Sequence, residues 1–373
     1  MSAILAPFEH RAFWRWDYGG HLPLTTMRAL PAVMCSLLLL TLTMSGCLSA
    51  PSGSASVDDS EVPAEEDDLP PYFIDGDYTC IVHEERDRCW ITHVPENLDP
   101  EADVPLIVDM HGFGSTSLEQ RDLSSFDHIA DQEGAIVVYP DGVGYYNELD
   151  GRTNQAWNAG WCCAESATEG VDDVGFIETM VDIVVDLHPV DEHRIYASGW
   201  SNGCAMTQRL AMVSSDVFAA VGCMSMYFLT EPVDDYSPIP VMEVHGFFDQ
   251  VVLYESTAMS VPFNPALWTE PEAYDTGAIE NIHEWAEYNG CSGGMETFET
   301  TALYSTVGFS SCENDAQIRL VTIFAGQHNP YENDLEQDGL GQVFQGTKGL
   351  VQSTQMVWEF ISQYSKDDVQ IEA

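Results

Sequence analysis

The stretch RIYASGWSNGCAMTQRLA, residues 194–211, joins an apolar run to a helical pattern through a sharp turn. Residues 195–198 are typical of a buried strand, and residues 202–214 carry apolar side chains at helical spacing. The turn reads GWSNG at residues 199–203, a Gly-x-Ser-x-Gly motif in the strand–turn–helix context that gives it meaning. Its glycines permit a turn that lifts the serine Oγ clear of the sheet. We therefore expect Ser201 to be a nucleophile at a helix N-terminus, where developing negative charge is favoured.

A nucleophilic serine needs a base and an orienting acid, which this context predicts in the chain order Ser, Asp or Glu, His. The apolar run at residues 240–245 leads into Asp249, and the run at residues 319–325 leads into His328. Catalytic groups gather at the carboxyl ends of strands in open α/β sheets. Chain order and position together favour Asp249 as the acid and His328 as the base. The alternatives are a turn cap for Asp249 and an exposed loop histidine for His328.

A Gly-rich turn follows the first long apolar run. Residues 111–115 read HGFGS directly after LIVDM, and glycines let the backbone approach a substrate carbonyl. We expect the backbone amides of Phe113 and Asn202 to form an oxyanion hole, with the Gly114 amide as the alternative to Phe113. An ordinary turn between a strand and a helix is the other interpretation of this segment.

Short apolar runs alternate with helical patterns along the rest of the chain, as they do in βα units. Strands are predicted at residues 104–110, 135–139, 194–199, 218–226, 240–245 and 319–325, and helices at residues 117–133, 173–187, 202–214, 276–288 and 348–364. The alternation predicts an α/β fold with a mostly parallel sheet. Residues 142–170 form a long irregular stretch, and loops of this length are often functional.

Four segments together resemble the secreted polyhydroxybutyrate depolymerase and feruloyl esterase-like family of α/β hydrolases: residues 111–115, 160–177, 194–211 and 245–254. The resemblance extends from about Val104 to His328. It implies the α/β-hydrolase fold, in which a mostly parallel central sheet is flanked by helices. It also implies Ser201 as nucleophile, His328 as base and Asp249 as acid, in agreement with the motifs themselves.

The chain departs from the family pattern after the histidine. The family usually shows Gly-Gly-His followed by Trp-Pro, whereas residues 326–331 read GQHNPY. We expect Tyr331 to replace the missing tryptophan as a substrate contact. Trp157 and Trp161 in the long loop are further candidates for contacts with a phenolic or polyester substrate, and packing of loop aromatics on the sheet edge is their alternative role. Trp200 is another candidate for substrate contact.

The N-terminal region predicts export. Residues 1–26 have no clear pattern and are interpreted as an extension from an upstream start codon. Residues 27–47 resemble a lipoprotein signal peptide, because a short apolar run ends in small residues before Cys47, the predicted lipidation site. A plain secretory signal cut near Ala50 is the alternative. Residues 48–71 predict an acidic disordered linker, and residues 72–373 predict the catalytic domain, which is lipid-anchored outside the cytoplasm or secreted.

The charge of the chain narrows the range of partners. There are 61 Asp and Glu residues against 12 Lys and Arg residues, which give a net charge of −49. Such a field repels phosphate backbones and anionic membranes, so we expect no nucleic-acid partner and membrane contact only through the lipid anchor. The acidity is also typical of proteins that work in salt, where screening weakens self-repulsion. A proteome with generally acidic surfaces is the alternative explanation.

Eight cysteines follow Cys47, an even number that predicts disulfides in an exported chain rather than a metal site. Two pairs are preferred because each brackets a local loop, and four cysteines remain open to a link between the long loop and the nucleophile helix. The preferred bridges join Cys80 to Cys89 and Cys291 to Cys312, and the open ones join Cys162 and Cys163 to Cys204 and Cys223.

The sequence therefore predicts an extracytoplasmic serine esterase that hydrolyses carboxylic esters through an acyl-enzyme, similar to polyhydroxybutyrate depolymerases. A feruloyl or acetyl-xylan esterase of plant polysaccharide is the first alternative, and in either case the substrate is a polymeric or oligomeric ester. A non-catalytic surface-binding protein with the hydrolase fold is the second alternative. The chemistry requires no cofactor, and none is predicted.

Overall fold

The computed structural model describes residues 69–99, 102–148, 151–227, 232–255, 277–332 and 346–366. The predicted signal peptide, the predicted lipidation site Cys47 and the predicted linker as far as residue 68 lie outside these residues. The strands of the described part are β1 (Tyr72–Asp75), β2 (Tyr78–His83), β3 (Arg86–His93), β4 (Val104–Met110), β5 (Ile136–Pro140), β6 (Val143–Asn147), β7 (Arg152–Ala156), β8 (Val190–Gly199), β9 (Ala220–Met224), β10 (Val241–Gly246), β11 (Glu296–Thr300), β12 (Tyr304–Phe309) and β13 (Ile318–Ile323). The helices are α1 (Ser117–Ser124), α2 (Phe126–Glu133), α3 (Ala164–Glu169), α4 (Asp173–Leu187), α5 (Asn202–Val213), α6 (Ala278–Tyr288) and α7 (Ser353–Ile361).

Eleven of the described strands form one sheet in the order β1-β2-β3-β5-β4-β8-β9-β10-β13-β12-β11, and β6 and β7 form a separate hairpin. The six central strands, from β5 to β13 in this order, pair in parallel. They consist of continuous apolar runs such as VPLIVDM in β4, because strands covered by helices on both faces are buried on both. This is the architecture of an α/β hydrolase, as predicted.

Antiparallel strands extend the sheet at both edges. Strands β3, β2 and β1 continue it beyond β5, and β12 and β11 continue it beyond β13. The prediction of a mostly parallel sheet is therefore right for the centre and wrong for the edges. The edge strands were missed because continuous apolar runs mark buried strands, whereas β1 and β11 are exposed along their whole length.

Helices cover both faces of the sheet because side chains alternate along each strand. Leu106 and Val108 of β4 belong to a core shared with α4, α5 and α6, whereas Ile107 belongs to a core shared with α1, α2 and α7. Among the described helices, none combines the length and the apolar character that crossing a membrane requires.

Two of the predicted segments are divided into further elements in the structure. Residues 117–133 form two helices, because Ser125 adopts a left-handed conformation with φ 57° and its amide closes α1 on the Arg121 carbonyl. The stretch at residues 142–170 is only partly irregular, since it contains the β6–β7 hairpin and α3.

The described cysteines form four disulfides, which join Cys80 to Cys89, Cys162 to Cys163, Cys204 to Cys223 and Cys291 to Cys312. The Cys80–Cys89 and Cys291–Cys312 bridges are the two that were preferred from the sequence. The alternative of bridges from Cys162 and Cys163 to Cys204 and Cys223 is wrong. Cys204 in the first turn of α5 lies against Cys223 on the neighbouring strand β9, with a Cα–Cα distance of 4.9 Å that suits a disulfide.

Candidate active site

Ser201 lies in the tight turn between β8 and α5, with φ 55° and ψ −119°. A non-glycine residue adopts such a conformation only where the surrounding structure enforces it. A Cβ on Gly203 would overlap the carbonyl oxygen of Met110, so glycine is what lets α5 approach β4 this closely. The Ser201 amide donates to the Met224 carbonyl at 2.8 Å and so ties the turn to β9.

Three side chains that follow three different strands form one chain of hydrogen bonds. His328 follows β13 and Asp249 follows β10, while Ser201 follows β8. The His328 Nε2 atom lies 3.0 Å from Ser201 Oγ, and the His328 Nδ1 atom lies 2.8 Å from Asp249 Oδ2. Asp249 and His328 are buried, and Ser201 retains 9% of its surface. The structure thus brings together the three residues that chain order and strand ends singled out.

The surroundings of Asp249 keep its carboxylate ionised. Asp249 Oδ1 accepts hydrogen bonds from the backbone amides of Val251 and Val252 at 2.8 and 2.9 Å. Burial raises the pKa of Asp249, but the hydrogen bonds and positive charges of His328 and His245 outweigh burial and hold the pKa well below its usual range. Asp249 is therefore an acceptor for the Nδ1 proton of His328 at neutral pH.

The amides of Phe113 and Asn202 make no hydrogen bond within the described part of the chain. The turn that carries Phe113 packs on the residue before Ser201, since a Cβ on Gly112 would lie 3.3 Å from the Trp200 carbonyl oxygen. The Gly114 amide, by contrast, donates to the Gln155 carbonyl at 2.7 Å. Of the two candidate amides in this turn, Phe113 is therefore the one available to a ligand.

The loop around Trp157 is bound to both of these segments. The Trp157 amide donates to Asn202 Oδ1 at 2.8 Å, and Asn202 Nδ2 donates to the Trp157 carbonyl at 3.1 Å. The Trp157 indole Nε1 donates to the His111 carbonyl at 3.0 Å. We call this set of contacts the Trp157 clamp. No signal in the sequence links Trp157 to Asn202, because 45 residues separate them.

The His111 side chain adds a further link between the same segments. Its Nδ1 lies 2.8 Å from the Gly112 carbonyl, and its Nε2 accepts a hydrogen bond from the Gly142 amide at 2.9 Å. Burial lowers the pKa of His111, so the neutral ring with its proton on Nδ1 satisfies both contacts.

The aromatic residues expected to contact substrate lie inside the fold. Trp157, Trp161, Trp200 and Tyr331 are each at most 4% exposed, so all four pack inside the fold. Trp200 Nε1 donates to the His328 carbonyl at 2.6 Å, and the Tyr331 hydroxyl lies 3.1 Å from Gln120 Nε2. Trp200 and Tyr331 therefore connect segments of the site from inside the fold. The exposed aromatic residues that follow β4 and β10 are Phe113, Phe247 and Phe248.

Two buried residues on β10 were not singled out by the sequence. His245 Nε2 lies 3.3 Å from Asp249 Oδ2, and His245 Nδ1 lies 2.6 Å from Glu243 Oε1. The sequence signal for this pair was that Glu243 and His245, two positions apart, are the ionisable residues of an otherwise apolar strand. Such side chains point to the same face of the sheet, so one of them is expected to partner the other.

Comparisons with known proteins agree with this architecture. Residues 94–273, which include Ser201 and Asp249, match the family described as Esterase PHB depolymerase. Feruloyl esterase B of Piromyces equi is 28% identical over 280 residues, covering 74% of this chain and 45% of that protein. Putative esterase NocK of Nocardia uniformis subsp. tsuyamanensis is 27% identical over 242 residues, covering 60% of this chain and 64% of that protein. The chain thus spans about half to two thirds of the length of these relatives.

Among solved structures, an acetyl xylan esterase from Aspergillus awamori is similar with a TM-score of 0.45 and 17% identity, covering 68% of this chain and 94% of that chain. The family match, the relatives and the ordered strand-end motifs point the same way. Over these segments the chain is similar to the polyhydroxybutyrate depolymerase and feruloyl esterase-like family of α/β hydrolases.

Proposed function

We propose that this protein is a serine hydrolase of carboxylic esters, with Ser201 as nucleophile, His328 as base and Asp249 as orienting acid. The observation that carries the proposal is the hydrogen-bonded chain of these three residues next to two unpaired backbone amides. The relatives named as esterases support the same reaction class.

The reaction follows from the positions of these groups. His328 Nε2 takes the Ser201 proton as Oγ attacks the ester carbonyl carbon, and the carbonyl electron pair moves onto oxygen. The amides of Phe113 and Asn202 donate to this oxyanion, and each such donor accounts for about 10²–10³ in rate. The bond to the leaving alcohol then breaks, and His328 returns the proton to the alcohol oxygen. A water molecule, deprotonated by His328, hydrolyses the acyl-enzyme in the same way.

The substrate we propose is a polymeric or oligomeric ester of the polyhydroxybutyrate type, which the description of the matching family supports. A feruloyl or acetyl ester of plant polysaccharide is the second candidate, because relatives carry the names feruloyl esterase B and acetylxylan esterase/xylanase. Phe113, Phe247 and Phe248 offer exposed aromatic surface to either substrate.

A substrate panel tests the reaction and separates the candidates. Polyhydroxybutyrate, methyl ferulate, acetylated xylan and p-nitrophenyl butyrate are each incubated with wild-type protein, with Ser201→Ala and with the exposed control Ser292→Ala. We expect Ser201→Ala to lose about 10³-fold or more in kcat and Ser292→Ala to match wild type. Turnover that survives in Ser201→Ala contradicts the assigned nucleophile. A wild-type protein that hydrolyses none of these esters favours a non-catalytic binding protein.

We also propose that the protein acts outside the cytoplasm and is lipid-anchored at Cys47. The four disulfides support an oxidising compartment. When the full-length chain is expressed in a bacterial host with labelled palmitate, we expect label in wild-type protein and none in Cys47→Ala. Labelling that is equal in the two proteins contradicts the anchor, and wild-type protein free in the medium without label favours plain secretion.

A further inference from the structure

A second histidine lies on the far side of Asp249 from His328. Asp249 Oδ2 lies 2.8 Å from His328 Nδ1 and 3.3 Å from His245 Nε2, so one carboxylate oxygen faces both rings. His245 has no exposed surface, and Glu243 behind it has none either. The chain of polar contacts that begins at Ser201 therefore continues from Asp249, through an ion pair, to His245 and from there to Glu243.

The contacts of His245 place a hydrogen on Nε2 and accommodate a second one on Nδ1. Nε2 lies 2.8 Å from the Val252 carbonyl oxygen, which only accepts, so Nε2 carries a hydrogen. Nδ1 lies 2.6 Å from Glu243 Oε1, while Glu243 Oε2 accepts from Asn281 Nδ2 at 2.7 Å. A Glu243 carboxylate that accepts at both oxygens, paired with a His245 cation, satisfies every one of these contacts.

The electrostatics support the same assignment. Burial lowers the pKa of His245, but the hydrogen bonds and negative charges of Asp249 and Glu243 outweigh burial and raise the pKa to about 10. For Glu243, burial raises the pKa, and the hydrogen bond and charge of His245 oppose that rise. His245 is thus the protonated member of the pair at neutral pH.

The other groups that face His245 leave this charge balance unchanged. Tyr227 is stacked on the ring with centroids 5.6 Å apart, and Tyr254 meets it edge-on at 5.7 Å. Burial raises the pKa of both tyrosines, so both stay neutral at neutral pH. Helix α6 contributes the neutral Asn281, and its Glu280 acts on the two tyrosines by charge at longer range.

We propose that His245, held as a cation by Glu243, is a positioning residue for the reaction. It fixes the carboxylate of Asp249 and offsets part of its negative charge. A fully uncompensated Asp249 would favour the protonated form of His328, which is inactive as a base. The His245 cation therefore extends activity to lower pH. This inference rests on the proposed function.

The test compares His245→Gln with wild type and with Val244→Ala. Gln keeps a donor for the Val252 carbonyl but removes the charge. Val244 is the neighbouring residue on β10 and packs in the core of the opposite face, so it controls for lost stability alone. We expect the acid limb of the kcat/KM profile for p-nitrophenyl butyrate to move up by about half a pH unit or more in His245→Gln. We also expect kcat to fall about tenfold at little change in KM.

A second variant and a second readout keep the inference testable if His245→Gln does not fold. Glu243→Gln should move the acid limb in the same direction by a smaller amount, because Asp249 still holds the proton on His245. In ¹⁵N-histidine NMR spectra of Ser201→Ala, His245 should show two protonated ring nitrogens at pH 8.

The outcomes separate the inference from the proposed function. An active wild-type protein whose acid limb is the same in the His245, Glu243 and Val244 variants overturns the positioning role, and so does a neutral His245 ring at pH 8. A wild-type protein that hydrolyses no ester overturns the proposed function and the positioning role with it, whereas the NMR experiment still reports the charge of His245.

Discussion

The Asn202 side chain forms two hydrogen bonds with the backbone of Trp157, at 2.8 and 3.1 Å. Asn202 follows the proposed nucleophile directly, and its own amide is one of the two proposed oxyanion donors. Trp157 in turn donates from its indole to the His111 carbonyl, just before the turn that carries the other donor. A single loop therefore fixes both donors relative to Ser201, which is the preorganisation that oxyanion stabilisation requires.

Truncating the Asn202 side chain should affect catalysis more than substrate binding. We expect Asn202→Ala to lower kcat on p-nitrophenyl butyrate about 10- to 100-fold with little change in KM, because the donors lose their fixed positions. The matched control is Asn289→Ala. Asn289 forms the same two-bond contact with the backbone of Ile239 at 3.1 and 2.7 Å, on a different loop. Equal losses of kcat in the two variants would mean that only stability is involved.

The buried ion pair behind the Trp157 clamp should be needed for folding. Arg88 Nη2 lies 2.5 Å from Asp173 Oδ1, with side chains 3% and 0% exposed. We expect Arg88→Met to lower the free energy of unfolding by about 3–5 kcal/mol, because it leaves a buried carboxylate uncompensated. The double variant Arg88→Met with Asp173→Asn should lose less than Arg88→Met alone. Urea unfolding of the three proteins measures these differences.

The surface pair between Arg86 and Glu169 provides the control for this measurement. Their side chains lie 3.2 Å apart and are 38% and 50% exposed. Arg86→Ala should cost about 1 kcal/mol or less, because solvent screens the pair. If Arg86→Ala loses as much unfolding free energy as Arg88→Met, burial is not what makes the Arg88–Asp173 pair important.

Asp109 should make stability depend on pH in the opposite direction to Asp249. Burial raises the pKa of Asp109 from 3.8 to about 7, although the hydrogen bonds from Gln120 Nε2 oppose the rise. An acid whose pKa is higher in the folded state than in the unfolded state stabilises the fold in its protonated form. The contribution of Asp109 to the free energy of unfolding is therefore complete below pH ~4 and is lost as the pH rises towards 7.

Replacing Asp109 with a neutral side chain should therefore change the free energy of unfolding little near pH 4 and increasingly as the pH rises towards 7. We expect Asp109→Asn to be about 2 kcal/mol more stable than wild type at pH 8, and about equal to wild type at pH 4.5. Gln120 Oε1 has no hydrogen-bond partner among the described residues, so this amide can rotate to meet Asn. Asp186→Asn on exposed α4 surface controls for the loss of one negative charge. A stability difference that does not change with pH contradicts the buried acid.

The net charge of −49 should make stability depend on salt. Screening weakens repulsion among exposed carboxylates, so we expect the melting temperature to rise as NaCl is raised from low ionic strength. Differential scanning fluorimetry in NaCl, with sucrose at matched osmolality as control, measures the effect. A melting temperature independent of salt would favour the alternative of a generally acidic proteome.

Local sequence determined much of this protein. The apolar runs of β4, β5, β8, β10 and β13 mark buried parallel strands, because helices cover both of their faces. The glycines around Ser201 mark the tight turn, since neighbouring backbone leaves no room for a side chain there. Asp249 and His328 were predicted to lie beside Ser201 because the carboxyl ends of parallel strands meet at one edge of a sheet.

Tertiary structure alone decided the rest. The Trp157 clamp, the pairing of Cys204 with Cys223 and the burial of the four aromatic candidates depend on how distant loops pack. The availability of the Phe113 amide was decided in the same way, by a hydrogen bond that occupies Gly114. The link from Glu243 through His245 to Asp249 lies within one strand and its loop, yet its charge state depends on burial beneath neighbouring elements. The apolar pattern and the order of motifs in the sequence show which strand or loop carries a residue. The burial of its charge and the distances to its partners arise only once the chain has folded.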